Sequence, residues 1–229
     1  MTDAERHAAA THPHRGAAPA SWGWAAWTVF VAAWLGACAS TSEPILIALP
    51  SARGVDSARA AAAPLPDVPI AGVLLVRRLS IPEYMIARRV RYASDTARLA
   101  EWPDAYWAER IEVGMARELV AALREALPAW RVCDASCGDS PPDITLKIEL
   151  QRFDVLRGEG RIVASAQTQL SLSKPGSAAT APLSATSQTF VQPLPVDTAQ
   201  GQARAMTDLL RSLADACAAA VLRTRATAP

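Results

Sequence analysis

The sequence predicts an α+β fold with a mainly antiparallel sheet, a mixed sheet being the alternative, and two long amphipathic helices packed on one face. Residues 144–150 alternate apolar and polar side chains, which is typical of a half-buried strand. Residues 106–127 and 199–223 instead repeat apolar side chains every three or four positions, as amphipathic helices do. Because strands precede each helix along the chain, both helices are expected to cover one sheet.

The first 37 residues are predicted to be a lipoprotein signal peptide. The apolar run at 22–35 suits the core of such a peptide and is shorter than the ~20 residues of a membrane-spanning helix. Leu35-Gly36-Ala37-Cys38 follows and has the pattern of a lipobox, whose cysteine thiol receives a diacylglycerol before cleavage. We therefore expect a mature chain that begins at Cys38 and carries lipid there. An uncleaved apolar anchor is the alternative.

Residues 38–69 are predicted to be a lipid-anchored tether with one short strand at 45–49. That strand is apolar and ends at Pro50, and the Ala- and Pro-rich stretch after it has no face to bury. Residue 39 is Ala. Asp at this position commonly retains lipoproteins on the inner membrane of Gram-negative bacteria. The sequence therefore favours anchoring at the periplasmic face of the outer membrane.

The folded domain is predicted to span residues 70–223. Its first strand, 72–80, is apolar and rich in β-branched residues, and two short strands, 88–93 and 96–101, flank Ser94-Asp95. The domain is long enough to bury a core of its own.

The first long helix is expected to begin near Pro103-Asp104, where the Asp104 carboxylate can cap free backbone amides. The helix then runs from Tyr106 to Leu127, with its apolar residues on one stripe, and Pro128 ends it. A short strand at 130–132 follows.

Residues 143–173 are predicted to form a β-hairpin. Phe153 and Val155 continue the apolar alternation one residue out of phase, so we expect a β-bulge near Gln151-Arg152. Residues 157–160 contain two glycines and form the turn. The returning strand carries apolar side chains on its even positions up to Leu172.

A further strand at 183–192 is polar enough to lie at a sheet edge. Asp197 or Thr198 can cap the last helix, which is expected to reach Arg223. Residues 224–229 are predicted to be a frayed tail.

The remaining cysteines have different predicted roles. Cys133 and Cys137 have three residues between them in a polar stretch, which in an oxidising compartment indicates a local disulfide. Cys217 lies on the apolar stripe of the last helix, so we interpret it as a small buried apolar residue. A bridge from Cys217 to Cys133 or Cys137 is the alternative.

Composition excludes several classes of function for the mature chain. All three histidines lie before Cys38, so Ser-His-Asp and Cys-His nucleophiles and His-containing zinc sites are excluded. The signal peptide contains two arginines and two carboxylates, so its removal leaves the net charge at +1. That balance gives no electrostatic basis for nucleic-acid binding. We expect no enzyme, no metal and no cofactor apart from the covalent lipid on Cys38.

Several segments resemble the ABC-type transport auxiliary lipoproteins, the PqiC-like family. Val73-Leu74-Leu75-Val76 followed by Ile81-Pro82-Glu83-Tyr84-Met85 is similar to the family's strand and its V/I-P-E-Y-L motif. Trp107-Ala108-Glu109, placed at the opening of the first helix, is similar to its W-A-E box. Leu49-Pro50 resembles the end of an early Y-x-L-P segment, without the usual aromatics. Met85-Ile86-Ala87 stands where L-D-R is common.

The resemblance implies a non-enzymatic envelope lipoprotein that serves an ABC or MCE-type lipid transport system. Such a protein sits at the outer membrane, engages the periplasmic MCE component and helps to move lipid between membranes. It is also a candidate to form homo-oligomers. Under this reading the candidate partner interface comprises Pro82, Glu83, Tyr84, Arg88, Arg89, Trp107 and Glu109.

These residues also have a purely structural interpretation. Pro82, Glu83 and Tyr84 can form a turn that ends a strand and packs the tyrosine, and large aromatics such as Trp102, Tyr106 and Trp107 can pin a helix to the sheet. The arginines can be a solvated face or can contact anionic lipid headgroups or an acidic partner; they are Arg77, Arg78, Arg88, Arg89 and Arg91.

The sequence is also compatible with two other functions. A stand-alone lipid- or small-molecule-binding lipoprotein would need an internal cavity, lined by Leu146, Ile148, Ile162 and Leu170. A hydrolase would need a clustered acidic pair or a buried lysine beside its nucleophile.

Overall fold

In the computed structural model, residues 43–51, 70–95, 97–172 and 181–227 are described. The signal peptide, Cys38 and most of the predicted tether lie outside them. The described residues form eight strands and two helices. The strands are β1 (Ile45–Ile47), β2 (Gly72–Val76), β3 (Arg89–Ala93), β4 (Leu99–Trp107), β5 (Trp130–Asp134), β6 (Ile144–Leu156), β7 (Arg161–Leu172) and β8 (Ala181–Pro193), and the helices are α1 (Ile111–Ala126) and α2 (Ala199–Thr227).

All eight strands belong to one sheet that is built around β6. One edge of β6 pairs along its length with β7, which in turn pairs with β8. The other edge of β6 is shared, because its first residues pair with β2 and its last residue, Leu156, pairs with β3. Outside β2 lies β5, and outside β3 lie β4 and then β1.

The sheet is mixed, so the expectation of a mainly antiparallel sheet is wrong. Four of the seven pairings between described strands are parallel, namely β1 with β4, β2 with β5, β2 with β6 and β3 with β6. Only the hairpins β3–β4, β6–β7 and β7–β8 are antiparallel. Sequence periodicity predicts strands and short turns. Parallel strands are joined by long crossovers, so their pairing has no signal in the local sequence.

The core lies between one face of the sheet and the two helices. Buried residues alternate along β6 and β7, and they join the buried stripes of α1 and α2 in a single apolar cluster. The two helices also pack against each other. Each strand buries alternate side chains only, and no described helix covers the other face of the sheet, which we call its open face.

The first helix starts later than its sequence pattern predicts. Strand β4 continues to Trp107, and α1 begins at Ile111. Asp104 has a φ of 51° and lies where the pairing between β3 and β4 shifts register, so it is part of a bulge and does not cap the helix. Pro103 is tolerated there because a bulge interrupts the ladder of hydrogen bonds. The W-A-E box therefore ends β4 and precedes the helix.

Other local predictions are confirmed. The register of β6 against β7 shifts between Leu150 and Arg152, where the bulge was expected. A turn of 3-10 helix at Arg157–Glu159, followed by Gly160 in the left-handed region, closes the hairpin. Thr198 caps α2, because its hydroxyl oxygen accepts a hydrogen bond from the Gly201 amide at 3.0 Å. No described helix has the length and apolar content needed to cross a membrane.

Candidate partner-binding site

Strands β1, β4 and β3 place three large side chains in a row on the open face of the sheet. Leu46 pairs with Tyr106, and Tyr106 pairs with Arg89. Their neighbours Ile47, Trp107 and Val90 are buried in the core. Because side chains alternate along a strand, Leu46, Tyr106 and Arg89 point away from the core, and Leu46 is 64% exposed.

Two arginine side chains, Arg89 in this row and Arg91 next to it, bring positive charge to this face. The Arg89 guanidinium lies 5.0 Å from the centre of the Tyr106 ring. Arg89 and Arg91 share one carboxylate, with Nε to oxygen distances of 3.5 and 3.2 Å to Glu101. Arg88 is exposed just before β3, but its carbonyl oxygen accepts a hydrogen bond from the Trp107 amide, so it lies opposite Trp107 and on the other face from Arg89. We call the surface around the row the basic patch; it consists of Leu46, Arg89, Arg91, Glu101 and Tyr106.

The basic patch has the composition of a binding surface for an acidic partner. Its two arginines outnumber its one carboxylate, and the ring of Tyr106 and the Leu46 side chain offer apolar contact. Exposed ion pairs contribute little to the stability of a fold, but such charges steer association and set specificity.

Tyr84, a predicted interface residue, is instead bound to β6. Its hydroxyl oxygen accepts a hydrogen bond from the Phe153 amide and donates one to Asp154 Oδ1, both at 2.8 Å. Burial and the neighbouring Asp154 carboxylate raise the pKa of Tyr84 to about 12. The phenol therefore occupies the stretch of the β6 edge between β2 and β3, which is a structural role.

The other predicted interface residues divide into two groups. Trp107 is 6% exposed and lies in the core. Both oxygens of Glu109 accept hydrogen bonds from Arg117 Nη1, at 2.6 and 2.7 Å. By contrast Glu83 and Arg88 are exposed, and Pro82 is half-buried before the 3-10 turn at Glu83–Met85.

The structure thus brings Arg89 together with Tyr106 on one face of the sheet, whereas Arg88 lies opposite Trp107. Sequence reasoning missed the contribution of Leu46 to this surface. The sequence has no signal for it, because residues 45–47 are all apolar, and only the pairing of β1 with β4 places Leu46 beside Tyr106.

A second polar cluster joins the sheet to α2. Arg157 makes two hydrogen bonds to the Asp197 carboxylate, at 2.7 and 2.9 Å, and its guanidinium lies 4.2 Å from the ring of Trp102. The Trp102 indole N–H donates to the side-chain oxygen of the buried Gln202 at 2.7 Å. Trp102 therefore pins a helix to the sheet, as one interpretation expected, but the helix is α2.

The cysteines of the described region lie away from the basic patch. Cys133 and Cys137 are joined by a disulfide, with Cα atoms 5.3 Å apart. Cys217 is a free thiol in the core, and burial raises its pKa to about 12. No group of three or more His, Cys, Asp or Glu side chains with the arrangement of a metal site occurs among the described residues.

One internal cavity lined by described residues is small. A cavity of about 30 Å³ between β3, β6 and α2 has room for about one water, and Tyr84, Trp107 and Phe153 line it. A surface groove of about 420 Å³ lies beside α1, between Leu49, Arg117 and Arg124. Leu146, Ile148, Ile162 and Leu170, the residues expected to line a lipid cavity, are at most 3% exposed and pack in the core.

Comparisons with solved structures show the same fold in other proteins. The protein XCC0632 from Xanthomonas campestris, described as family DUF330, matches with a TM-score of 0.56 and 17% identity over 80% of this chain and 94% of its own. An uncharacterized protein matches with a TM-score of 0.55 and 17% identity over 80% of this chain and 98% of its own. No curated protein matches the sequence.

The sequence identifies the family to which the chain belongs. A family model described as ABC-type transport auxiliary lipoprotein component matches residues 56–218. The family is an auxiliary transport component and not a known family of enzymes, and its lipoprotein character implies anchoring to a membrane of the cell envelope. The match confirms the resemblance seen in the strand, V/I-P-E-Y-L and W-A-E motifs. Because it covers most of the chain, the protein belongs to the family of ABC-type transport auxiliary lipoproteins.

Proposed function

We propose that this protein is a non-catalytic subunit of an ABC/MCE-type lipid transport system, held at the periplasmic face of the outer membrane by lipid on Cys38. In this role it binds the periplasmic MCE component and contributes to envelope integrity. Family membership supports an auxiliary transport role. The lipobox at Leu35-Gly36-Ala37-Cys38 and Ala39 after it support the anchor and its address.

The observation that carries the partner-binding proposal is the basic patch. Arg89 and Arg91 lie next to Tyr106 on the sheet face that no described helix covers, with Glu101 as their shared counter-charge. Arginine and tyrosine are enriched in protein interfaces, because each combines apolar area with directed hydrogen bonds. An acidic surface on the transport component is the complement that this patch would recognise.

The described structure favours this role over that of a stand-alone lipid carrier. A carrier would need an apolar cavity of several hundred cubic ångströms, on the order of those that hold small ligands. The side chains expected to line one fill the core instead. The groove of about 420 Å³ beside α1 has three charged residues, Arg117, Glu118 and Arg124, among the six that line it, which does not suit an acyl chain.

Lipid attachment is tested by growing cells on labelled palmitate and isolating the protein. We expect label in the wild type and in Cys217→Ala, and none in Cys38→Ala, because only Cys38 follows a lipobox. Label retained by Cys38→Ala would contradict the anchor. Fractionation of the two membranes then tests the predicted outer-membrane address, with Ala39→Asp expected to shift the protein to the inner membrane.

Partner binding is tested by purification in mild detergent from cells that also produce the MCE component. We expect co-purification that weakens as salt is raised, since exposed charges are screened. Arg89→Glu should reduce recovery several-fold, on the scale of a lost interface charge. The matched control Arg204→Glu makes the same charge change at an exposed position on α2 and should leave recovery unchanged.

Failure of the wild type to recover any MCE component would count against the proposed partner. Bound lipid detected by mass spectrometry of the purified chain, beyond the covalent anchor, would favour the carrier function instead.

A further inference from the structure

The predicted lipid anchor is attached near one end of the sheet by a short length of chain. Ile45, the first residue of β1, is the seventh residue after Cys38, so the chain between them spans at most about 25 Å. The central strand β6 is thirteen residues long and measures about 40 Å. A tether shorter than the sheet does not let the domain stand on the end opposite the start of β1.

Strand pairing identifies which other segments lie at the anchored end. Ile45 pairs in parallel with Ala105, so β1 starts toward the beginning of β4. The first residue of β4, Leu99, pairs with Ala93, which also pairs with Leu156, the last residue of β6. The start of β1, the turn between β3 and β4 and the tip of the β6–β7 hairpin therefore lie at the same end of the sheet.

The loop before α2 lies at this end as well. The Leu194 amide donates a hydrogen bond to the carbonyl oxygen of Gly160 at 2.7 Å, and Arg157 binds the Asp197 carboxylate. Gly160 and Arg157 both belong to the hairpin tip. We call this part of the domain the tether end; it consists of residues 43–45, 94–95, 97–99, 157–161 and 194–198.

Exposed apolar side chains come together at the tether end. Ile45 is 47% exposed, Leu99 is 44% exposed and Val196 is 46% exposed, and Val196 follows the exposed Pro195. These side chains belong to three separate segments of the chain, and only the fold brings them to one end. Exposed apolar groups that gather in one place mark contact with another molecule or with a membrane.

The charges of the tether end offset one another. Each of its three arginines pairs with a carboxylate, namely Arg98 with Asp95 at 3.7 Å, Arg157 with Asp197 at 2.7 Å and Arg161 with Glu159 at 2.7 Å. Glu43 adds one further carboxylate. The tether end thus has no excess of positive charge with which to attract an acidic protein or an anionic lipid. Paired charges around apolar side chains instead suit the zwitterionic headgroups of a neutral phospholipid surface.

We propose that the tether end is a membrane-contact surface, whose apolar side chains rest on the phospholipid surface that holds the lipid of Cys38. The anchor keeps this end at a high effective concentration of lipid, so a few apolar side chains are sufficient for contact. Ile45 and Leu46 point to opposite faces of the sheet, so this contact leaves the basic patch free for a partner. The inference rests on the proposed lipid anchor and adds which end of the domain faces the membrane.

The first test measures how close each end of the domain lies to lipid. The full-length lipidated protein carries a fluorophore on one introduced cysteine and is reconstituted in vesicles of phosphatidylcholine and phosphatidylethanolamine, some with a nitroxide quencher on the headgroup. Fluorescence from Leu99→Cys and from Val196→Cys should fall about twofold or more, because contact places the fluorophore among the headgroups. Labelling is specific, since Cys133 and Cys137 are bonded to each other and Cys217 is buried.

The matched control is Leu222→Cys. Leu222 is 50% exposed and lies twenty-three residues after the start of α2, which is about 35 Å along the helix. Its fluorescence should not change. Palmitate labelling of the same samples distinguishes two failures. A protein without palmitate overturns the anchor and this proposal with it, whereas a labelled protein with equal quenching at Leu99→Cys and Leu222→Cys overturns the membrane-contact surface alone.

The second test changes an apolar side chain of the tether end. With the fluorophore on Pro195→Cys, the substitution Leu99→Asp should reduce quenching about twofold or more, because a carboxylate resists leaving water. Leu222→Asp makes the same change at the other end of α2 and should leave quenching as it was. Unfolding midpoints near that of the wild type show that both variants are folded.

Salt and partner controls test the chemistry of the contact. Quenching at Leu99→Cys should persist at about 1 M salt, because apolar contact is not screened as charge pairs are. Quenching that disappears in salt, or that requires an anionic lipid, would overturn the apolar contact. A fluorophore at Leu99→Cys that responds to a second copy or to the MCE component in detergent, but not to vesicles, would assign this end to a protein and overturn the proposal.

Discussion

The phenol of Tyr84 occupies a place that no backbone strand fills. β2 and β3 pair with different parts of the same β6 edge, and the bulge between Leu150 and Arg152 falls between them. The Phe153 amide would lack a partner there without the Tyr84 hydroxyl. Within the motif that resembles the family's V/I-P-E-Y-L, Tyr84 therefore stabilises the sheet. Glu83, the exposed residue before it, is the one that can contact a partner.

Removing that hydroxyl should cost stability. Tyr84→Phe leaves the Phe153 amide without its partner and removes one hydrogen bond from Asp154, which keeps its contact with Arg152. A partly buried group that loses its hydrogen bond costs about 1–3 kcal/mol. Urea denaturation at neutral pH measures the loss. Tyr106→Phe is the control, because that ring lies on the open face with Arg89 over it, and its free energy of unfolding should change little. Equal effects of the two substitutions would contradict the role of Tyr84.

The same residue predicts a pH dependence. The pKa of Tyr84 is raised from 10.0 to about 12, so between these values the unfolded chain binds fewer protons than the folded chain. The free energy of unfolding therefore falls as the pH rises through this window, and the contribution of the neutral phenol is fully present below pH 10. Denaturation curves from pH 9 upward should show a shallower fall for Tyr84→Phe than for the wild type. Parallel curves would show that Tyr84 does not titrate in this way.

At the scale of single elements, the start of α2 depends on a close approach between the Gly201 backbone and the Val196 carbonyl oxygen. The loop before the helix folds back so that a Cβ on Gly201 would overlap the carbonyl oxygen of Val196. Thr198 caps the helix in the same turn, and Asp197 holds Arg157. This junction joins the last helix to the tip of the β6–β7 hairpin.

Gly201→Ala should therefore destabilise the protein, although alanine favours helices by about 1 kcal/mol over glycine. The overlap involves backbone of the preceding loop, which cannot rotate away as a long side chain could. Thermal unfolding should show a lower midpoint. Gly158→Ala is the matched control, because a Cβ there meets nothing within 4 Å, and its midpoint should stay near that of the wild type. A higher midpoint for Gly201→Ala would mean that the loop yields.

The disulfide after β5 should stabilise its strand end modestly. It closes a loop of five residues, for which the chain-entropy model gives about 2 kcal/mol. Reduction by dithiothreitol should lower the unfolding midpoint of the wild type. The variant Cys133→Ser with Cys137→Ser should start at the lower midpoint and not respond to reductant. A response in that variant would point to another thiol.

At the scale of the whole molecule, the core extends beyond the part of the chain that the family model matches. That match begins at residue 56, yet Ile47 and Leu49 are buried and β1 extends the sheet beside β4. The residues that lead out of the predicted tether therefore take part in the fold. Any partner bound at the basic patch would also contact this strand through Leu46.

Ile47→Ala should destabilise the whole domain by about 2–4 kcal/mol, which is usual for truncating a buried aliphatic side chain. Ile47 is 4% exposed. Ile45→Ala, two residues earlier on the same strand and 47% exposed, should cost less than about 1 kcal/mol. Urea denaturation of the full-length protein in detergent distinguishes the two. Equal small losses would show that β1 contributes little to the core.

Local sequence patterns were sufficient to predict much of this fold. The alternation at 144–150, the phase change at Phe153, the glycines of the hairpin turn and the cap at Thr198 each act within a few residues, so the sequence reports them directly. The extent of β4 could not be read in this way. Its last residues look helical because Tyr106, Trp107 and Ile111 fall at helical spacing, and only pairing with β3 and β1 holds them extended.

By itself, the sequence determined the α+β class, the two helices, the hairpin, the family and the predicted lipid anchor, because these depend on periodicity and short motifs. Only the tertiary structure decided the mixed sheet, the burial of Trp107, the structural role of Tyr84 and the composition of the basic patch. The physical reason is that each of these depends on which distant strands become neighbours. The free energy that selects those neighbours comes from burying one shared core, and no short segment carries that information.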